Sequence, residues 1–258
     1  MEKVYGRFDL IISKKNEVYL NIETEPSIAR ELSDFFTFEV PGARFMPQYK
    51  NRMWDGKIRL FSQMSGEIYV GLLPYIEEFA NRNDIDIEYK EGVKDGEQPR
   101  DGELDTFVGR VSPKSKGETL QIRDYQMAAF THAVGNNRSL LLSPTASGKS
   151  LIIYLIAVWY AMKTEKNVLI LVPTTSLVEQ MYTDFIDYGF QESMMQKIYQ
   201  GHSKNITKPV TISTWQSLYK IPKKWFDQFG CLLGDEVHIF KSKSLTGIMN
   251  KMVNCKYR

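Results

Sequence analysis

An apolar run, Leu140-Leu141-Leu142, passes into Ser143-Pro144-Thr145-Ala146-Ser147-Gly148-Lys149-Ser150 and then directly into a second apolar stretch from Leu151. This order predicts a buried strand, a tight loop of small residues and a buried helix. A loop of that kind gathers backbone N–H groups at a helix N-terminus, where the helix dipole favours anions, so it is a seat for a phosphate chain. Lys149 is placed to reach the β- and γ-phosphates, and the Ser150 hydroxyl to ligand the Mg²⁺ that accompanies a nucleoside triphosphate. Set against the pattern Gly-x-x-x-x-Gly-Lys-Ser/Thr, the segment is a P-loop with a departure. Gly148-Lys149-Ser150 fits, whereas Ser143 stands in place of the first glycine and Ala146 is also not glycine. The expected ligand is ATP, held by Thr145, Ala146, Ser147, Gly148, Lys149 and Ser150.

Composition narrows the alternatives. A chain of 258 residues holds one large domain or two ordinary ones. Its net charge of +2 is too small to signal a nucleic-acid partner, so any such role rests on local clusters. The two cysteines, Cys231 and Cys255, lie far apart without ligand spacing, which argues against a disulfide framework or a zinc site and fits a reducing compartment. The longest apolar run, Leu151 to Met162, is too short to cross a bilayer, and the N-terminus has no signal-peptide pattern. A cytoplasmic location follows.

Along the chain, loose alternation from Val4 to Ile22 around Lys14-Lys15-Asn16 predicts a hairpin. Ile28, Leu32, Phe35 and Phe36 then recur at helical spacing between Pro26 and Pro41-Gly42. Two further strands, Gly56 to Phe61 and Glu67 to Leu72, and a helix from Pro74 to Arg82 complete a small α+β domain over residues 1–90. Residues 91–118 are rich in Gly, Pro, Lys, Asp and Glu and read as a linker. Over residues 119–258 strands and helices alternate: Ser139–Leu142, a helix from Leu151, Val168–Val172, a helix from Ser176, Val210–Ser213 and Cys231–Gly234. That order predicts an α/β domain whose parallel sheet carries helices on both faces and binds ligands at the carboxyl ends of its strands.

The strand Cys231-Leu232-Leu233-Gly234 delivers Asp235-Glu236-Val237-His238 to the edge where the P-loop also lies. One carboxylate there can hold Mg²⁺ while the other orients and deprotonates the water that attacks the γ-phosphate. Asp235 is assigned to the metal with Ser150, and Glu236 to the water.

Asp235-Glu236-Val237-His238 resembles the DExH box of superfamily 2 helicases and translocases. Ile122-Arg123-Asp124-Tyr125-Gln126 resembles the segment of that family that reads adenine, Leu171–Gln180 resembles motif Ia, and Ile212–Leu218 resembles the later DNA-contacting motif of a first RecA-like domain. Phe35-Phe36-Thr37-Phe38 and Trp54–Leu60 resemble stretches in the small N-terminal domain of the UvsW-type DNA helicases of phages. The resemblance covers nearly the whole chain. It implies a RecA-like P-loop fold, nucleotide contacts from Arg123, Tyr125, Gln126 and His238, and work on branched DNA in phage recombination, repair or replication. It places the protein in the bacterial host cytoplasm. It also implies a second RecA-like domain; only Ile239 to Arg258 follow the DExH box, so the chain reads as an N-terminal fragment, slow or inactive alone.

For nucleic acid, Thr174 and Thr175 at the end of one strand, and Thr214 and Gln216 at the end of another, suit phosphate contacts, although the threonines also suit N-caps. Arg44, Lys50, Arg52, Lys57 and Arg59 cluster near Phe45, Tyr49 and Trp54, opposed only by Asp55. Cations interleaved with aromatics neutralise phosphates and stack on bases; the other reading is a solvated hairpin with Trp54 in the core. The function expected is that of an ATP-dependent DNA helicase or translocase. The rivals are a binding module without turnover and a double-strand DNA translocase subunit.

Overall fold

The computed structural model describes residues 8–94, 98–144, 146–236 and 243–258, which fall into two compact units, residues 1–95 and 96–258. Thr145, His238 and the start of the expected hairpin at Val4 lie outside the described residues.

In the first unit the elements are β1 (Leu10–Lys14), β2 (Tyr19–Thr24), α1 (Pro26–Phe35), β3 (Thr37–Glu39), α2 (Pro47–Lys50), β4 (Lys57–Arg59), β5 (Phe61–Ser62), β6 (Glu67–Tyr69), α3 (Leu73–Arg82) and β7 (Ile87–Tyr89). The β1–β2 turn closes on Asn16, whose Oδ1 accepts from the N–H groups of Val18 and Tyr19 at 2.7 and 3.0 Å. Alternation then sends Leu10, Ile12, Leu20 and Ile22 to one face, where they pack with Leu32 and Phe36 around α1 and with Ile76 and Phe79 of α3. The sheet order is β5-β6-β2-β1-β7, with β7 parallel to β1. Three-residue β7 has too little periodicity to be legible in advance. The β3–β4 ribbon stands apart from this sheet.

In the second unit the elements are α4 (Glu103–Val111), β8 (Lys114–Ser115), β9 (Glu118–Thr119), α5 (Asp124–Gly135), α6 (Lys149–Lys163), β10 (Asn167–Val172), α7 (Thr175–Asp187), β11 (Met195–Ile198), β12 (Val210–Thr214), α8 (Trp215–Leu218), β13 (Phe229–Gly234) and α9 (Lys243–Lys251). The sheet is parallel throughout, in the order β11-β12-β10-β13. Its strands are apolar at successive positions because both faces are covered. Val168, Ile170, Val172, Val210 and Ile212 join the core shared with α5, α6 and α7, while Leu169, Leu171 and Leu232 join Leu218, Phe226, Leu245 and Ile248 on the other face. Helix α6 is apolar on nearly every side, as a helix sunk in a core must be. No described helix is long and apolar enough to cross a membrane.

Two expectations need correction. Residues 91–118 are not simply a linker: α4 buries Leu104 and Phe107, and Phe107 meets Trp159 edge-on at 5.1 Å between ring centroids. Its few apolar residues stand among Gly, Pro and charged ones, which gives the stretch a linker-like composition. Nor do Ser139–Leu142 form a strand. Ser139 N–H donates to the Arg258 carbonyl at 3.0 Å and Arg258 N–H to that of Asn137 at 2.9 Å, but no backbone partner lies beside Leu140–Leu142 among the described residues. Without a ladder Leu140 and Leu142 stay exposed, Leu142 at 91%, while Leu141 is half-buried against the core.

Candidate nucleotide and nucleic-acid sites

Gly148 opens α6 in a left-handed conformation, φ 78°, that an L side chain resists. A Cβ there would also collide with Gln126 Nε2. Gln126 is buried at 5% exposure and ties α5 to the loop: its Nε2 donates to the Ser147 carbonyl at 3.0 Å, and its Oε1 accepts from the Arg123 N–H at 3.0 Å. Tyr125 OH donates to the same Ser147 carbonyl at 3.1 Å and accepts from Arg123 Nη1 at 3.0 Å. Ser147 Oγ donates to the Pro144 carbonyl at 2.8 Å and contacts Ser143 Oγ. Ser143, where the motif has glycine, is thus a brace within the loop. Ala146 takes φ 65°, the conformation a glycine would adopt freely.

Lys149, at the start of α6, brings its Nζ to 3.3 Å from Glu236 Oε1 at the end of β13, with both side chains about one-third exposed. Asp235 continues the ladder by donating its N–H to the Leu171 carbonyl at 2.9 Å, and its Oδ1 accepts from Glu236 N–H at 3.0 Å. Burial pushes the Asp235 carboxyl up; the neighbouring Glu236 charge adds to this, while the Glu236 amide and Lys149 oppose it. Glu236 sits at φ 56°, a left-handed conformation that strains a non-glycine residue. The structure therefore brings Lys149, Asp235 and Glu236 together at one edge of the sheet.

Ser150 lies near Asp184 and Tyr188 toward the end of α7, close enough for its hydroxyl to act on both. Burial holds the Asp184 carboxyl above its ordinary range, with the nearby Ser150 hydroxyl acting against it. Asp184 was not legible in advance, because nothing in its spacing links it to a residue thirty-four positions earlier.

At the ends of β10 and β12, Val172 lies opposite Thr214, so the two candidate phosphate-contacting segments are neighbours. Thr174 caps α7 by accepting the Leu177 N–H at 3.3 Å, and Thr175 is exposed beside it. Gln216 is exposed and donates to the Pro173 carbonyl at 3.1 Å. Thr214 departs from expectation: it is 4% exposed, with Oγ1 2.8 Å from Ser217 Oγ, so its hydroxyl serves the turn into α8.

In the first unit Trp54 is turned inward, Nε1 donating to the Lys57 carbonyl at 2.8 Å. Arg59 pairs with Asp55, whose carboxyl is held low chiefly by that bond. Lys57 faces Glu39 at 4.0 Å, an opposing charge beyond the Asp55 expected. Arg44 lies 5.0 Å over the Phe45 ring, Lys50 ends α2, and Arg52 is left-handed at φ 56°.

A phosphate loop braced by α5, with a lysine and two carboxylates at the carboxyl edge of a parallel sheet, defines the second unit as a P-loop nucleotide-binding domain. The chain belongs to the family described as type III restriction enzyme, res subunit, which its residues 119–258 match. Residues 9–90 match the model described as DNA helicase UvsW, N-terminal. The ATP-dependent DNA helicase uvsW of Enterobacteria phage T4 is 35% identical over 245 residues, covering 93% of this chain and 49% of that protein. The DNA 3'-5' translocase XPB2 of Sulfurisphaera tokodaii is 27% identical over 142 residues, covering 55% of this chain and 30% of that protein. A crystal structure of the UvsW helicase from bacteriophage T4 superposes with a TM-score of 0.88 at 33% identity, covering 96% of this chain and 90% of that one. The chain thus spans about half the length of the phage T4 relative.

Proposed function

We propose that this chain supplies the DNA-recognition unit and the ATP-binding motor domain of a superfamily 2 DNA helicase or translocase that acts on branched DNA in phage recombination, repair or replication, within the host cytoplasm. The observation that carries the reading is the approach of Lys149 to Glu236, 3.3 Å apart across the mouth of the P-loop. Their separation marks the place where a γ-phosphate and its attacking water belong.

Lys149 exchanges Glu236 for the β- and γ-phosphate oxygens, and the Glu236 carboxylate orients and deprotonates water. The backbone N–H groups from Ala146 to Ser150 receive the phosphate chain. Asp235 and Ser150 are the oxygen donors that would hold Mg²⁺. A half-buried carboxyl that burial pushes up gains from a cation beside it, which supports Asp235 as a ligand. When bound, Mg²⁺ neutralises charge on the β- and γ-phosphate oxygens. Gln126 keeps one N–H and one lone pair for adenine while its other groups hold the loop, so base recognition and loop geometry are linked through one side chain. Tyr125 and Arg123 flank it, and His238 is assigned a link between nucleotide and DNA. Thr174, Thr175 and Gln216 meet DNA phosphates, with Thr214 shaping their turn. The arginine that stabilises the transferring phosphoryl group is assigned to a second RecA-like domain.

The test is a pair of variants assayed for nucleotide binding and DNA-stimulated turnover. Lys149→Ala should lose binding, and Glu236→Gln, in a full-length version that carries the second RecA-like domain, should bind but not turn over. Normal turnover in Glu236→Gln would remove it as the base.

A further inference from the structure

Residues 37–59 form a self-contained excursion whose backbone is pinned at several points. Val40 N–H donates to the Gly56 carbonyl at 2.8 Å, and Met53 N–H to that of Gln48 at 2.9 Å. Gly56 has φ 79°, and a Cβ there would press on Ala43 Cβ at 3.0 Å and on the Tyr49 ring at 3.1 Å. Trp54 closes the base through its bond to the Lys57 carbonyl.

A fixed segment has no need to leave apolar side chains in water, yet this one does. Phe45 is 68% and Met53 79% exposed, and the ribbon beneath leaves the cross-strand pair Phe38 and Ile58 about half exposed. Apolar groups grouped in this way mark a contact surface rather than a core. Each apolar tip has a cation beside it in the chain: Arg44 lies over Phe45, and left-handed Arg52 precedes Met53. Among the described residues Arg44, Lys50 and Arg52 have no carboxylate within ion-pair distance, whereas Lys57 faces Glu39 and Arg59 pairs with Asp55.

We infer that this excursion is a wedge for unpaired DNA at a strand junction: Arg44, Lys50 and Arg52 meet backbone phosphates while Phe45 and Met53 lie against unstacked bases. The inference rests on the DNA reading above and makes it specific. Phosphates alone would explain the cations. Intact duplex offers the apolar tips little, because its base faces are already stacked on each other; unpaired nucleotides present those faces. Trp54, the aromatic most visible in the sequence, is a brace and not a stacking platform.

The experiment uses the whole chain, with fluorescence anisotropy on a blunt duplex and on the same duplex ending in two unpaired arms, the latter carrying 2-aminopurine at the junction. Phe45→Ser/Met53→Ser, both at exposed sites, should unfold at the wild-type temperature and bind the duplex normally. It should bind the fork about tenfold more weakly and lose the 2-aminopurine response. Arg44→Gln/Lys50→Gln/Arg52→Gln should weaken binding to both DNAs and flatten the salt dependence. If the apolar variant keeps fork affinity and the 2-aminopurine response while the charge variant weakens both, the wedge is refuted and DNA binding by this unit stands. An apolar variant that weakens duplex and fork equally also refutes the wedge. If the charge variant leaves both DNAs unaffected, the DNA reading falls and the wedge with it.

Discussion

Gly148→Ala tests whether the P-loop is held in shape by α5. Two separate costs arise at this position. The first is conformational: φ 78° is left-handed, and an L residue there loses about 1–2 kcal/mol. The second is steric, since the new Cβ meets Gln126 Nε2 and displaces it from the Ser147 carbonyl, forfeiting a buried hydrogen bond worth about 1 kcal/mol. Together the second unit should lose about 2–3 kcal/mol, a fall in Tm of roughly 5–10 °C for a domain of this size. The two costs separate in a double-mutant cycle. Gln126→Ala removes the obstacle, so Gly148→Ala added to it should cost only the conformational part, leaving a coupling of about 1 kcal/mol by chemical denaturation. Affinity for an ATP analogue, measured by calorimetry, should fall in each single variant. An equal penalty for Gly148→Ala with and without Gln126, or no loss of analogue affinity, would refute the bracing argument.

Ala146→Gly should leave the chain as stable or up to ~1 kcal/mol more stable in denaturant titrations, because relief of a left-handed alanine outweighs the added freedom of glycine in the unfolded chain. Asp235 has its pKa raised in the fold, so its contribution to stability is fully present below the unfolded pKa and is lost as pH rises through the folded one. Asp235→Asn should therefore raise the Tm of the nucleotide-free chain at neutral pH and flatten its pH profile, while abolishing the Mg²⁺ dependence of analogue binding. Gln216→Ala should weaken DNA binding with little change in Tm, and Thr214→Ala should do the reverse. Glu77 in the first unit is raised by burial but lowered overall by its bonds from Lys94 and Tyr89, so Glu77→Gln should remove stability at neutral pH that wild type loses only as pH falls below the ordinary glutamate range. Its partial exposure limits that loss to about 1 kcal/mol.

The features legible in the sequence are those set by local spacing. Gly148-Lys149-Ser150 and Asp235-Glu236 carry their chemistry within a few residues, and the apolar strands β10, β12 and β13 announce burial on both faces. What escaped depends on contacts distant in the chain. Ser150 and Asp184 come near each other because α6 and α7 pack side by side, and no periodicity encodes that pairing. Thr214 and Trp54 belong to residue types that suit phosphates and bases, but turn geometry directs one hydroxyl to Ser217 and one indole to a backbone carbonyl. Helix α4 was masked by composition, since two buried residues, Leu104 and Phe107, suffice to anchor nine. Ser139–Leu142 shows the converse: apolar sequence favours a strand, yet a strand exists only where a neighbour shares its hydrogen bonds.

A crystal structure of the chain with Mg²⁺ and a non-hydrolysable ATP analogue tests the central claim most directly. The predicted result has the phosphate chain on the backbone N–H groups from Ala146 to Ser150, Lys149 turned from Glu236 to the β- and γ-phosphates, and the Ser150 hydroxyl sharing Mg²⁺ with Asp235. An analogue bound away from this loop, or Mg²⁺ in place without Ser150 as a ligand, would contradict it.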